Sequence, residues 1–236
     1  MEDLSVDIVV VLESRWRVGT GTSRSGAVDD EMWRAGGGDG AVTIPASHLK
    51  RRLRERAEWL AGLRGLRHCK GRLASVQQDV DVAGRTRDQT VTRGCDASES
   101  DPCVVCRIFG SPRVEPGWQF GPALPETPEV AGQSHRSAHN ALDPWARRVG
   151  EDLLFVVEAG WPTQLRARAK RLLGADGADE LEEEVGLLVA SVGALEAVGS
   201  RTRRGYGACR AWVEGSPAGR GHDEWVCWFL DHRWKA

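Results

Sequence analysis

Ser5-Val6-Asp7-Ile8-Val9-Val10-Val11-Leu12 is the stretch on which the fold turns. Its β-branched run (Val6, Ile8, Val9, Val10, Val11) passes into alternating residues up to Val18, the pattern of a central strand that pairs early in a sheet. Residues 19–41 are rich in Gly, Ser, Thr and Asp, and Gly36-Gly37-Gly38-Asp39-Gly40 has the composition of a turn, so an exposed loop or hairpin follows. Val42-Thr43-Ile44 reads as a short strand stopped by Pro45, after which Leu49, Leu53, Ala57 and Leu60 recur at helical spacing from about Ser47. From Gly71 to Arg148 the periodicity is poor and Pro and Gly are frequent, which predicts an insertion with little core of its own. Asp152 to Ala159 returns to strand character. Leu181 to Val198 is an amphipathic helix with Leu181, Val185, Leu188, Val192 and Leu195 inward, and Ala208–Glu214 and Trp225–Leu230 read as closing strands. Strand, helix, interruption, strand, helix, strand is the order of an α+β, ferredoxin-like domain.

A chain of 236 residues suits one such domain with a sizeable insertion. No apolar run approaches the roughly 20 residues a membrane span needs. Acidic Glu2 and Asp3 are unlike the opening of a signal peptide, so a cytoplasmic protein with no membrane partner is expected. The formal charge of −2 hides segregation: residues 47–93 carry twelve Lys/Arg against five Asp/Glu, whereas Asp176 to Glu184 holds six acids and no base. A basic face suited to a polyanion therefore fits on a nearly neutral protein.

The run Cys103-Val104-Val105-Cys106-Arg107-Ile108-Phe109-Gly110-Ser111-Pro112 joins a Cys-x-x-Cys pair to what reads as a buried strand and a turn. In a reducing compartment such cysteines are metal ligands or buried thiols sooner than disulfides. Tetrahedral Zn2+ needs two more ligands. Cys95, eight residues upstream of Cys103, supplies the third, and Cys69 or its neighbour His68 the fourth.

Near the other end, Gly199-Ser200-Arg201-Thr202-Arg203-Arg204-Gly205-Tyr206-Gly207 lacks the Gly-Lys-Ser/Thr ending of a nucleotide P-loop and leads into a strand. Its glycines (Gly199, Gly205, Gly207) permit close approach of a polyanionic backbone, with Arg201, Arg203 and Arg204 supplying charge and Tyr206 a stacking surface.

Ile44-Pro45-Ala46-Ser47-His48-Leu49-Lys50, the cysteine run and this glycine-rich loop, in that order, resemble the RAMP superfamily, the RNA-binding subunits of CRISPR effector complexes. The resemblance implies a single RAMP domain over residues 1–236. Its ferredoxin-like, RNA-recognition-motif-type core would carry a zinc-braced insertion at about 70–148, made of a zinc knuckle (95–106) and a thumb (114–148). The first motif is similar to the family's Ile-Pro-Gly-Ser-Ser-Leu-Lys turn that meets guide RNA, with Ala46, His48 and Arg51 where Gly, Ser and Gly are common. By that resemblance Ser47, His48, Lys50 and Arg51 are RNA contacts, as are Arg201, Arg203, Arg204 and Tyr206. In the insertion, Arg136 of His135-Arg136 would touch the guide–target duplex.

Gly26-Ala27-Val28-Asp29-Asp30 lies after the first strand, where target-cleaving backbone subunits of type III complexes carry an acidic residue. Asp29, with Asp30 as fallback, would hold Mg2+ or Mn2+ for cleavage. The implied protein is an antiviral, metal-dependent endoribonuclease working inside a ribonucleoprotein complex. Its partners would be guide (CRISPR) RNA, target RNA, other copies of itself or related RAMP subunits, and other type III effector subunits. Two alternatives stay open: a non-catalytic guide-RNA scaffold, and a precursor-processing ribonuclease with His48 as general base.

Overall fold

Alternation along Ser5–Leu12 puts Val6, Ile8, Val10 and Leu12 on one face of a strand, and all four are buried. A computed structural model places this strand inside a sheet and describes residues 4–20, 28, 31–36, 40–69, 78–80, 86–88, 95, 102–112, 114–127, 133–142, 149–172, 177–232 and 234; at 78–80, 86–88, 140–142, 149–154 and 178 it describes the backbone alone. In chain order the elements are β1 (Ser5–Leu12), α1 (Ala46–Leu63), β2 (Gln78–Val80), β3 (Thr86–Asp88), α2 (Val104–Phe109), β4 (Trp118–Phe120), β5 (Leu124–Pro125), β6 (Ser134–Leu142), β7 (Val149–Gly160), β8 (Gln164–Arg171), α3 (Ala178–Gly193), β9 (Cys209–Glu214) and α4 (His222–Asp231). The protein is α+β with antiparallel sheets.

The main sheet runs β4-β8-β1-β9, every neighbour antiparallel, with β5 also pairing β8. Ile8 lies opposite Ala167 on one side and Val213 on the other, so three apolar side chains cross the sheet in one row. That face shares a core with Leu49, Leu53 and Ala57 of α1, Ile108 and Phe109 of α2, Val185, Leu188 and Val192 of α3, and Trp225 and Phe229 of α4. Burying each large apolar side chain contributes about 1.5–3 kcal/mol, so this layer of helices on one sheet face is the stabilising mass of the fold.

The opposite face is charged and answers its own charges. Asp7 lies between Arg168 and Glu214 in the register, Arg168 bonds Asp7 at 2.7 Å, Arg166 bonds Glu126 at 2.6 Å and also Glu214, and Arg210 bonds Glu13. Exposed pairs of this kind add little stability, but they leave those arginines without free charge.

Several elements differ from expectation. Val104–Phe109 is a helix, not a strand; a run of five apolar residues and one arginine fits either, and only its packing decides. Trp225–Leu230 belongs to α4, not to a closing strand. Its tryptophans suit a strand by composition, but Trp225 and Phe229 stand four apart and are buried together on one helical face. β8 escaped the sequence reading altogether: Leu165, Ala167 and Ala169 are buried between Arg166, Arg168 and Lys170, an alternation muted by two small alanines. Trp118 to Pro125, expected in the thumb, lies in the main sheet as β4 and β5, and α2 lies in the main core rather than in a coreless insertion. Val42 and Ile44 form isolated bridges, to Arg34 and Ala123, rather than a strand.

β6 and β7 form a separate two-stranded sheet. Its base is tied to the extension of β1: Gly160 N–H donates to Trp16 O at 2.8 Å, and Trp16 Nε1 donates to Trp161 O at 2.9 Å. A Cβ on Gly160 would lie 2.6 Å from Trp16 Nε1, so the approach needs glycine. The residues after β1 form the expected hairpin, with Gly19 bridging Met32 and Arg34 bridging Val42. Buried Glu158 of β7 pins it, accepting from Met32 N–H at 2.9 Å and pairing with Arg34 and Ser134. Despite burial, those donors hold the Glu158 carboxyl below its ordinary range.

Candidate nucleic-acid interface and metal centre

Chain direction brings the two glycine- and cation-bearing motifs together. α1 starts at Ala46 with Pro45 as its N-cap, and no side chain caps it. His48 and Leu49 N–H both return to Pro45 O at 3.0 Å, and the positive end of the helix dipole meets no acid in the first turn. Ser47 is exposed, Lys50 half-buried, and both line a cleft of about 230 Å³ with Ala46, Gln119, Phe120 and Leu172. Burial, then the charge of Arg54, lowers the Lys50 pKa. Arg51 is exposed and, with Arg52, pairs with Glu55, at 2.8 and 2.9 Å, so the helix itself offsets part of its cationic start.

The glycine-rich loop is fastened at both ends to the extension of β1. Ser200 N–H donates to Arg17 O at 2.8 Å, Gly207 N–H to Arg15 O at 2.7 Å, and Ala208 N–H to Ser14 Oγ at 2.9 Å. A Cβ on Gly199 would lie 2.2 Å from Arg17 O, and one on Gly207 1.8 Å from Val198 O. These two glycines therefore let the protein's own backbone pass closely. Gly205 differs: its φ is +80° and a Cβ there would meet nothing within 4 Å, so it is the open position. Between them Arg201, at a left-handed φ of 60°, opens the 3₁₀ turn Thr202–Arg204. Its guanidinium lies 5.3 Å from the Phe155 ring of β7, on which His139 of β6 also stacks at 5.5 Å. Burial, then Arg201, Arg204 and Arg17, lowers the His139 pKa. Arg203 and Arg204 are exposed, and among the described residues no carboxylate pairs with them. Tyr206 is half-buried beside them in sequence.

His48 joins the two motifs: its Nε2 accepts Gly199 N–H at 2.9 Å. Burial, followed by Arg51 and Arg52, lowers its pKa to about 4, so the ring is neutral with its proton on Nδ1. A general base needs a free lone pair, and the amide already holds this one. That geometry weighs against His48 as the base of a processing ribonuclease.

Exposed Arg15, which the sequence reading passed over, lies 5.1 Å from the Trp161 ring and shares the loop's anchoring segment. It is the last exposed residue of the β1 extension before Trp16, Arg17 and Val18, which are all buried. Arg136 is exposed on β6. Trp118 is core: it is fully buried and its Nε1 donates to Glu184 at 3.1 Å. Asp29, Asp30 and Trp145 lie outside the described residues.

The second centre is the cysteine cluster. Cys69 follows α1, Cys103 caps α2 and Cys106 sits one turn into it, so the i,i+3 spacing of a helix start puts two sulfurs on one side. With Cys95 they form four buried sulfurs within 4.8 Å of one another. Cys69 Sγ is 2.9, 3.4 and 3.6 Å from those of Cys95, Cys103 and Cys106. Zinc at about 2.3 Å from each sulfur sets sulfur–sulfur separations near 3.8 Å, inside the spread of this cluster. Four thiols, with no carboxylate in the group among the described residues, can hold a metal such as zinc. His68, the alternative fourth ligand, is turned away, its Nδ1 at Leu66 O (2.9 Å).

The hydrogen bond from the Cys103 thiol, ahead of Cys69 and the charge of Arg54, brings Cys106 down to about 5. The same bond and burial push Cys103 up, and burial raises Cys69 to about 12. Arg54 ties the centre to α1, donating to Gly110 O at 2.6 Å with Nη2 3.7 Å from Cys106 Sγ. Arg107 ties it to α3 through Glu183 at 2.8 Å.

A family profile for the RAMP superfamily matches residues 10–210, a span that holds the end of the first strand, both cationic motifs and all four clustered cysteines. The chain belongs to the RAMP superfamily. No curated protein matches it. RAMP proteins are in general CRISPR-associated, bind CRISPR RNA and act in multi-subunit complexes. No helix among the described residues is long and apolar enough to cross a membrane.

Proposed function

We propose that this RAMP protein is a backbone subunit of a type III CRISPR effector that binds guide RNA and cuts the paired target RNA. The observation that carries the RNA-binding half is the hydrogen bond from Gly199 to His48, which sets the loop bearing Arg201, Arg203 and Arg204 beside the uncapped start of α1. Charge supports the same placement. The arginines of the open sheet face are consumed by Asp7, Glu13, Glu126 and Glu214, whereas Arg203 and Arg204 meet no carboxylate among the described residues. Backbone phosphates fit these cations and the open side of Gly205, and sequence is read by pairing between guide and target, not by the protein.

A ferredoxin-like core is part of this reading, supported by the order β4-β8-β1-β9 with α1 and α3 as the crossover helices. The thumb, within an insertion of about 70–148, would be centred on the β6–β7 hairpin, whose Arg136 faces solvent for a duplex. The cysteine cluster would hold Zn2+ structurally, bracing α1, α2 and α3 where Arg54 and Arg107 meet it.

Asp29 enters from its Gly-Ala-Val-Asp context, with Asp30 next to it. Its neighbour Val28 is buried, and Met32 is fixed to Glu158, so the segment is anchored on both sides of the acid. Bound Mg2+ or Mn2+ would supply activation of the RNA 2′-hydroxyl or stabilisation of the leaving group; Asp29 would hold it. The purified complex, given labelled RNA complementary to its guide and magnesium or manganese, should make regularly spaced cuts that Asp29→Ala abolishes. Tight binding with the target left intact by the wild type would move the protein to the scaffold class.

A further inference from the structure

We infer that His48 is a positioning residue for guide RNA, acting through the glycine-rich loop and not by touching the nucleic acid; this rests on the RNA-binding reading above. The loop's other fastenings run to Ser14, Arg15 and Arg17 of the β1 extension, to Val198, whose N–H donates to Gly207 O at 2.9 Å, and to the Phe155 ring under Arg201. Among the described residues the Gly199–His48 bond is the one hydrogen bond that joins the loop to the α1 motif. It reaches the N-terminal end of the loop, two residues before Arg201, whose left-handed backbone opens the 3₁₀ turn. Losing it leaves that end held only by the β1 extension, through the Ser200 N–H bond to Arg17 O, and unties the loop from α1. Three cations then lose their fixed spacing against the start of α1.

The geometry also selects the atom. The acceptor is Nε2, the far nitrogen of the ring, half-buried between α1 and the loop. A glutamine carbonyl extends as far as Nε2, whereas an asparagine carbonyl ends near the position of Nδ1. Gln therefore restores the bond and Asn does not, although both are polar and uncharged.

The test compares wild type, His48→Gln, His48→Asn and His48→Ala in two measurements on the full chain: hydrogen–deuterium exchange across 199–207 without RNA, and affinity for a guide-length single-stranded RNA. One lost hydrogen bond is worth about a fivefold to tenfold change in an equilibrium. Expected are faster loop exchange and RNA binding weaker by about that factor in Ala and Asn, with both near wild type in Gln. Weaker RNA binding with unchanged loop exchange would make His48 a direct contact and overturn the inference, as would undiminished binding in Asn and Ala. If Ala fails to fold, the Asn–Gln contrast decides alone. Absence of RNA binding by the wild type would sink the functional reading instead, while the exchange data would still report on the bond.

Discussion

At the scale of single residues, the interface depends on atoms that must not be there. Gly207 has φ +72° and its absent Cβ would lie 1.8 Å from Val198 O. Gly207→Ala should therefore destabilise the protein by roughly 2 kcal/mol or more, the left-handed penalty plus the backbone shift; urea denaturation measures it. Gly205→Ala, with open space at the same sign of φ, should cost about 1 kcal/mol, and the gap between the two is the test of close packing. His48 makes a pH prediction. Its folded-state pKa of about 4 lies below the ordinary 6.5 because of burial, then Arg51 and Arg52, with Glu55 opposing. The unfolded chain thus binds the proton first, so the His48 contribution is intact above pH 6.5 and is lost as pH falls towards 4. Denaturation midpoints of wild type and His48→Gln, which keeps the acceptor but does not titrate, should lie close together above pH 6.5 and diverge as pH falls through that window, wild type dropping further; parallel curves would contradict it.

At the scale of elements, the cysteine cluster explains how a six-residue helix with no side-chain cap stands in the core. α2 is held by sulfur below, Arg54 of α1 beside it and Glu183 of α3 beyond. Changing Cys103 and Cys106 to Ser should remove about one equivalent of zinc and lower the melting temperature. Full zinc occupancy in that variant, measured by elemental analysis, would contradict the assignment. The same elements mark what sequence could and could not tell. β1, α1 and α3 were legible because long periodic patterns match one geometry only. α2 was not, since Val104–Phe109, five apolar residues and one arginine, fits strand and helix alike. α4 misled through its aromatic composition, while the decisive contact is tertiary: Trp228 lies against Gly186 of α3, where a Cβ would be 2.3 Å from its ring. The two cationic motifs were visible as motifs, but that His48 joins them is a contact across 151 positions, which no local pattern records.

At the scale of the whole molecule, a net charge of −2 coexists with one surface built for a polyanion. The sheet's open face neutralises itself, and free cations gather where the loop, the α1 start and the β6–β7 hairpin converge. The measurement that tests this most directly is guide-length single-stranded RNA affinity against salt concentration, for wild type and for the double variant Arg203→Ala/Arg204→Ala. The account predicts tight, steeply salt-dependent binding by the wild type. In the double variant the slope of log K against log salt should be shallower by about 1.4, two phosphate contacts at about 0.7 each. An unchanged slope, or no binding by the wild type, would contradict it.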